Sequence, residues 1–382
     1  MPRPRILVVD DAVVVRKIVT DVLAGDPGLE VIGTAPNGRI AISKIPQVNP
    51  DLVTLDVEMP EMDGIETLRA IRAKYPRLPV IMFSTLTERG ANVTMEALLL
   101  GANDYVTKPA NVGSVAEAME RVREQLIPKI HALCGIRPSS PSPTRAAPAP
   151  VKANRPVARP ARRAAARVEH VTIGVSTGGP NALAELLPQL PADLPVPITI
   201  VQHMPPMFTR LLAERLDATS GLHVREASDR MRIEPGTVTV APGDHHLEIR
   251  RVGTRVEAVL HDGPPENSCR PAVDVLFRSV AATHGDGTLA IVLTGMGYDG
   301  RRGSEHVRAA GGHVLAQDQA SSVVWGMPGA VVEHGVADEV LPLSQVAAAI
   351  VRRVSLGRSD SHTTPAHATG AIPGTEVAPC RS

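Results

Sequence analysis

The stretch Gly174-Val175-Ser176-Thr177-Gly178-Gly179-Pro180 decides how this chain is read. An apolar run from Val168 to Val175, broken only by Glu169 and His170, leads into it. Residues of helical periodicity, Asn181 to Leu187, lead out. The implied order is strand, tight glycine-rich turn, helix. A serine on such a turn is pushed out of the backbone, within reach of a reagent. The helix starting there aims unpaired N–H groups and the positive end of its dipole at the same spot. A nucleophile and an anion cradle then sit together. The same pattern also fits a phosphate-binding loop or a plain strand–helix turn, so the rest of the chain must decide.

A chain of 382 residues exceeds one ordinary core, and two or more domains are expected. Hydrophobic residues make up 43% but aromatics only 2%, so the cores are built from Val, Leu, Ile and Ala. Such a composition argues against binding single-stranded nucleic acid by aromatic stacking. A formal net charge of zero gives no global attraction to nucleic acid or membrane. Cys134, Cys269 and Cys380 are scattered without ligand spacing, which suggests neither a disulfide framework nor a zinc site. The apolar run behind the basic start soon meets Asp10 and Asp11, unlike a signal peptide, and no stretch is long enough to span a bilayer. The expectation is a soluble, cytoplasmic protein.

Residues 1–130 alternate short apolar strands with helical patterns. Ile6–Val9, Glu30–Ala35, Leu52–Leu55, Val80–Phe83 and Asp104–Thr107 read as strands. The intervening segments and Val115–Ile130 read as helices. This pattern predicts an open, doubly wound parallel sheet. Asp10, Asp11, Asp56, Ser84 and Lys108 each follow a strand's carboxyl end, and those ends share one crevice. Three carboxylates together repel one another, which Mg2+ relieves. A carboxylate held beside Mg2+ and a lysine is a nucleophile toward phosphorus.

Residues 168–355 repeat the logic. Ser176, His203, Asp299 and Asp318 each follow an apolar strand, and a serine nucleophile needs a base that a carboxylate orients. His203 is the base best placed; His245 and His246 follow a strand that looks peripheral. Leu247–Ile249 and Val256–Leu260 form a hairpin-like pair. The pattern alone leaves Asp299 and Asp318 as alternatives. The order Ser, His, Asp differs from that of α/β-hydrolases and points to a separate fold. Between the two units, residues 131–167 are rich in Pro, Ala, Ser and Arg without apolar period and read as a flexible linker; 356–382 read as a disordered tail.

Two resemblances extend this reading. Asp10-Asp11, the run Leu55 to Gly64, Ser84 and Lys108-Pro109 resemble a response-regulator receiver domain, which has a flavodoxin-like fold. The resemblance implies phosphorylation of Asp56 by a histidine kinase, with Mg2+ held by Asp10, Asp11 and Asp56. Ser84 and Tyr105 stand at the switch positions, and Lys108 at the phosphoryl-contact position.

Gly174 to Pro180, Val201 to Met204, Ala241-Pro242-Gly243, Arg270 to Asp274, Leu293 to Gly300 and Gly326-Met327-Pro328 resemble the chemotaxis receptor methylesterases, the CheB family. That implies a Rossmann-like catalytic domain, a Ser176–His203–Asp299 triad and an oxyanion site at Thr177 and Met296. It also implies hydrolysis of glutamate methyl esters on methyl-accepting chemotaxis receptors, with deamidation of glutamines, gated by phosphorylation. No cofactor is implied for the esterase, and no nucleic-acid partner or membrane insertion. Arg301 stands where the family usually has a small residue, and the linker is long for the family. A DNA-binding regulator or a nucleotide-binding adaptor are the rival classes. Neither a helix-turn-helix pattern nor a Gly-Lys-Ser/Thr phosphate loop supports them.

Overall fold

The computed structural model describes residues 3–85, 87–108, 114–135 and 167–356. The linker and tail expected from the sequence lie outside these residues, apart from 131–135, 167 and 356.

The first unit alternates β1 (Arg5–Val9), α1 (Val13–Ala24), β2 (Glu30–Ala35), α2 (Gly38–Val48), β3 (Leu52–Asp56), α3 (Gly64–Lys74), β4 (Val80–Ser84), α4 (Glu88–Leu99), β5 (Asp104–Thr107) and α5 (Val115–Leu133). The strands pair in parallel in the order β2-β1-β3-β4-β5. Strands β3 and β4 are buried along their whole length, as a sheet covered on both faces requires. Local chemistry sets where the helices begin. Asn37, Thr87 and Ser114 each accept a backbone N–H of the first turn. Asp63 and Glu66 form a reciprocal capping box at α3.

The second unit runs β6 (His170–Val175), α6 (Gly179–Leu186), β7 (Ile198–Gln202), α7 (Pro206–Thr219), β8 (His223–Glu226), β9 (Thr237–Val240), β10 (His246–Val252), β11 (Arg255–His261), α8 (Val273–His284), β12 (Thr288–Val292), α9 (Arg301–Ala309), β13 (His313–Gln317), α10 (Met327–Glu333), β14 (Glu339–Leu341) and α11 (Leu343–Ser355). Seven strands form a parallel sheet, β14-β13-β12-β6-β7-β9-β8, and β10 and β11 form a separate antiparallel hairpin. Edge strands β8 and β14 carry charged residues and are half exposed, so they show no apolar run that the sequence pattern could reveal.

The two units share an apolar cluster. Met95, Leu98, Ala102 and Tyr105 of the first belong to the same cluster as Leu183, Phe208 and Leu212 of the second. Helix α4 packs against α6 and α7. Among the described residues no helix is long and apolar enough to cross a membrane.

Candidate active site and phosphoacceptor site

Ser176 is the residue after β6. Its N–H donates to the Thr294 carbonyl at 3.0 Å, and its own carbonyl accepts from the Gly179 N–H at 2.8 Å. The Gln202 side-chain amide donates to that carbonyl as well, at 3.0 Å. Gly178, at φ +79°, turns the chain into α6, and a Cβ there would lie 2.7 Å from Val323. Torsion and space both demand glycine. The helix therefore begins directly behind the serine.

Strand register brings the base. Val175 pairs with Gln202, so Ser176 and His203 leave neighbouring strands side by side. The His203 N–H donates to the Val175 carbonyl at 3.3 Å. His203 Nε2 lies 2.9 Å from Asp299 Oδ2. The Asp299 carboxylate, 2% exposed, also accepts the backbone N–H groups of Val273 (2.7 Å), Asp274 (3.0 Å) and Gly300 (2.9 Å), and the Asn267 amide (2.8 Å). Burial pushes Asp299 up, but His203 and the amide donors outweigh it and hold the carboxyl below its ordinary range. Burial pulls the His203 pKa down; its contacts with Asp299 and Cys269 prevail, and the pKa is raised. An imidazolium that forms here is stabilised. The other ring nitrogen, Nδ1, lies 3.6 Å from Cys269 Sγ. Among the described residues the Ser176 hydroxyl has no hydrogen bond to His203.

The structure separates the alternatives. Asp318 accepts from the Ser321 N–H (2.9 Å) and hydroxyl (2.6 Å), and so closes its own loop rather than meeting His203. His245 pairs with Asp262, and His246 accepts the Ala272 N–H on Nδ1 and contacts the Pro264 carbonyl through Nε2. Asn267 and Cys269 were not found by sequence reasoning. They lie in a loop where Asn267 and Ser268 both have positive φ, and no periodicity marks such a loop.

Thr177, buried, lies in the serine turn, and Met296, half-buried, lies in the loop after β12. A Cβ added at Gly295 would come within 2.9 Å of Ser176 Cβ, so the Gly295-Met296 backbone passes close over the serine. The Thr177 hydroxyl donates to Asp104 Oδ2 of the first unit at 2.6 Å. Asp104 Oδ1 accepts Lys129 Nζ at 2.7 Å, and Lys129 also donates to the Tyr105 carbonyl at 2.6 Å. The Tyr105 ring stacks on Phe208 with centroids 4.6 Å apart. Asn181 donates to the Ala102 carbonyl at 3.3 Å. A cleft of about 350 Å³ remains between the units, lined by His203, Cys269 and Arg270 on one side and Tyr105 and Lys129 on the other.

At the carboxyl ends of the first sheet, Lys108 Nζ lies 2.6 Å from Asp56 Oδ2 and 3.1 Å from Asp10 Oδ2. Burial, then the neighbouring Asp10, pushes the Asp56 pKa up to about 6 despite the lysine. Burial likewise raises Asp10. Ligand atoms of Asp10, Asp11 and Asp56 all lie within 4.8 Å of one another. The Asp10 and Asp56 Oδ2 atoms are buried and share one cation, the Lys108 ammonium, so one charge of the pair is left uncompensated. A hard divalent cation fits this set of oxygen donors. Ser84 is 1% exposed and its hydroxyl donates to the Gly90 carbonyl at 3.1 Å.

Comparison with known proteins gives a family for each unit. Residues 171–350 match the CheB methylesterase family, and residues 6–120 match the response regulator receiver domain. A protein-glutamate methylesterase/protein-glutamine glutaminase of Trichodesmium erythraeum is 53% identical over 354 residues, covering 93% of this chain and 100% of its own. One of a Nocardioides species is 54% identical over 358 residues, covering 94% and 97%. The crystal structure of the Thermotoga maritima CheB methylesterase catalytic domain covers 49% of this chain and 99% of its own, at 44% identity and a TM-score of 0.48.

Proposed function

The chain belongs to the CheB methylesterase family, and on that premise we propose that it hydrolyses glutamate methyl esters on chemotaxis receptors, and deamidates receptor glutamines, when its receiver is phosphorylated. The observation that carries the chemistry is the His203–Asp299 contact of 2.9 Å, next to Ser176 in strand register.

In this reading Ser176 Oγ attacks the γ-carbonyl of the methylated side chain. Because Nε2 faces Asp299, His203 takes the serine proton on Nδ1 and then gives it to the leaving methoxide, releasing methanol. Asp299 keeps the ring oriented. The N–H groups of Thr177 and Met296 hold the oxyanion. Water, deprotonated by the same nitrogen, then frees the glutamate. On a primary amide the leaving group is ammonia.

We propose residues 1–130 as the receiver, 131–167 as linker, 168–355 as the catalytic domain and 356–382 as tail. Receiver domains take a phosphoryl group with Mg2+. Here Asp56 would accept it, Asp10, Asp11 and Asp56 would hold the metal that neutralises the phosphoryl charge, Lys108 would contact the phosphoryl oxygens, and Ser84 and Tyr105 would carry the switch. The kinase partner is a chemotaxis histidine kinase, and the setting is the cytoplasm. The Asp104–Thr177 hydrogen bond supports a closed state in which the receiver occupies the approach to Ser176. Phosphorylation shifts that equilibrium.

The test is methanol release from methylated receptor membranes with and without a small phosphodonor and Mg2+. The reading expects release that rises with phosphodonor and falls at least about a thousandfold in Ser176→Ala. Wild-type release from Ser176→Ala refutes the triad. An Asp56→Ala protein that the phosphodonor still activates refutes the gate.

A further inference from the structure

Cysteine spacing along the chain shows no metal site, yet the fold brings three ligand types together. His203, Cys269 and Asp299 offer ligand atoms within 4.8 Å of one another. We propose that His203 Nδ1 and Cys269 Sγ form a site for a soft divalent cation, Zn2+ in the first instance, whose binding reversibly shuts the esterase off. The inhibition half of this proposal rests on the role of His203 as base; the binding half does not.

The separation of the two ligand atoms fits a shared metal. Zinc sits about 2.3 Å from a cysteine sulfur and about 2.0–2.1 Å from an imidazole nitrogen, so a tetrahedral angle between them separates N and S by about 3.5–3.6 Å. The Nδ1 to Sγ separation is 3.6 Å. The opposite ring nitrogen faces Asp299 at 2.9 Å. A carboxylate behind a ligating histidine fixes the ring and raises the basicity of the nitrogen that meets the metal. Asp299 is held in turn by four further donors, so this support is rigid. Cysteine and histidine together select a soft or borderline cation over Mg2+.

The site also has an approach and room for water. His203 and Cys269 both line the cleft of about 350 Å³ between the units. Lys129 is bound to Asp104, and Arg270 donates to the carbonyls of Asp262 and Gly263. Two protein ligands leave the remaining positions to water from the cleft. On binding, the Cys269 thiol releases its proton to solvent and the sulfur lone pair goes to the metal. An Nδ1 proton, where present, leaves the same way, and Nε2–H stays on Asp299. The metal therefore occupies the lone pair that receives the Ser176 proton, which is why it inhibits.

The experiment uses the full chain in excess Mg2+, which fills the receiver carboxylates. Zn2+ affinity is measured by competition with a chromogenic chelator, and Co2+ is added to read a thiolate-to-metal charge-transfer band in the near ultraviolet. The expected result is one zinc per chain and a cobalt–thiolate band. Cys269→Ala and Cys269→Ser lose the band and weaken zinc binding by at least about tenfold, while Cys134→Ala keeps both. Melting temperatures show whether each variant is folded, and the serine variant preserves size where alanine disturbs packing. Methanol release is followed in parallel: zinc inhibits the wild type, a chelator restores it, and Cys269→Ser resists. Equal zinc affinity in wild type and both Cys269 variants, or a cobalt complex without a thiolate band, overturns the site. Zinc that binds through Cys269 without slowing an active esterase overturns the inhibition. A wild type without esterase activity refutes the functional reading and leaves the binding measurement to decide the site.

Discussion

Replacing Asp104 by alanine should switch the esterase on without phosphorylation. Asp104 is 7% exposed, lies on the receiver, and accepts the hydroxyl of Thr177, the neighbour of Ser176, at 2.6 Å. Its other oxygen takes Lys129 at 2.7 Å. A buried hydrogen bond to a charged group contributes about 1.5–3 kcal/mol. When the units part, water satisfies Thr177 and Asp104, so the bond favours the closed state alone. Losing about 1.5–3 kcal/mol from the closed state multiplies the open population by about 10 to 150, up to the ceiling set by the fully open enzyme. The Tyr105–Phe208 stack and the Asn181–Ala102 hydrogen bond remain, so the gate loosens without vanishing. The exposed Arg210–Glu88 pair adds little. The assay is methanol release without phosphodonor, then with saturating phosphodonor and Mg2+. Basal release rises at least about tenfold, and the phosphorylated rate stays where it was. Asp104→Asn keeps an acceptor but loses the charge, and its basal rate lies between the two. If Asp104→Ala still takes up phosphoryl groups but its basal rate stays within about twofold of wild type, the Thr177 contact does not hold the gate.

Three other outcomes follow from particular contacts. Asn267→Ala removes one donor from Asp299 and loosens the residue that orients His203; kcat falls about tenfold while KM for the receptor holds, and a selective rise in KM contradicts this positioning role. Gly178→Ala forces φ +79° on a residue with a Cβ that lies 2.7 Å from Val323; thermal unfolding shows a loss of at least about 1–2 kcal/mol, and an unchanged melting temperature refutes the strain. His170 is fully buried, its Nε2 against the Thr199 hydroxyl at 3.0 Å and its ring against His284; burial, then His284, holds its pKa well below the ordinary value. Below about pH 6.5 the unfolded chain binds a proton that the folded chain refuses, so stability falls with pH by up to about 1.4 kcal/mol per unit. Urea midpoints between pH 7 and 5 check this, and His170→Asn flattens the slope; the same slope in that variant assigns it to other groups.

Much of this protein is legible in the chain itself. Buried parallel strands must be apolar along their length, so β3, β4, β6, β7 and β12 stand out as continuous runs. The residues after such runs converge at the carboxyl edge of a sheet. That rule nominated Ser176, His203, Asp299 and Asp318, and likewise Asp10, Asp11, Asp56, Ser84 and Lys108. What it leaves open is decided by register and by loops. Asp299 and Asp318 both follow buried strands, and only the three-dimensional path turns one toward His203 and the other into its own loop. Asn267 and Cys269 reach the triad from a segment with no period, through backbone torsions that side-chain pattern does not encode. The contact of Asp104 with Thr177 joins residues 73 positions apart on two separate sheets. Pattern reports which side chains a local element buries. The face that one unit offers another is an energy of packing between finished units, and only the tertiary structure decides it.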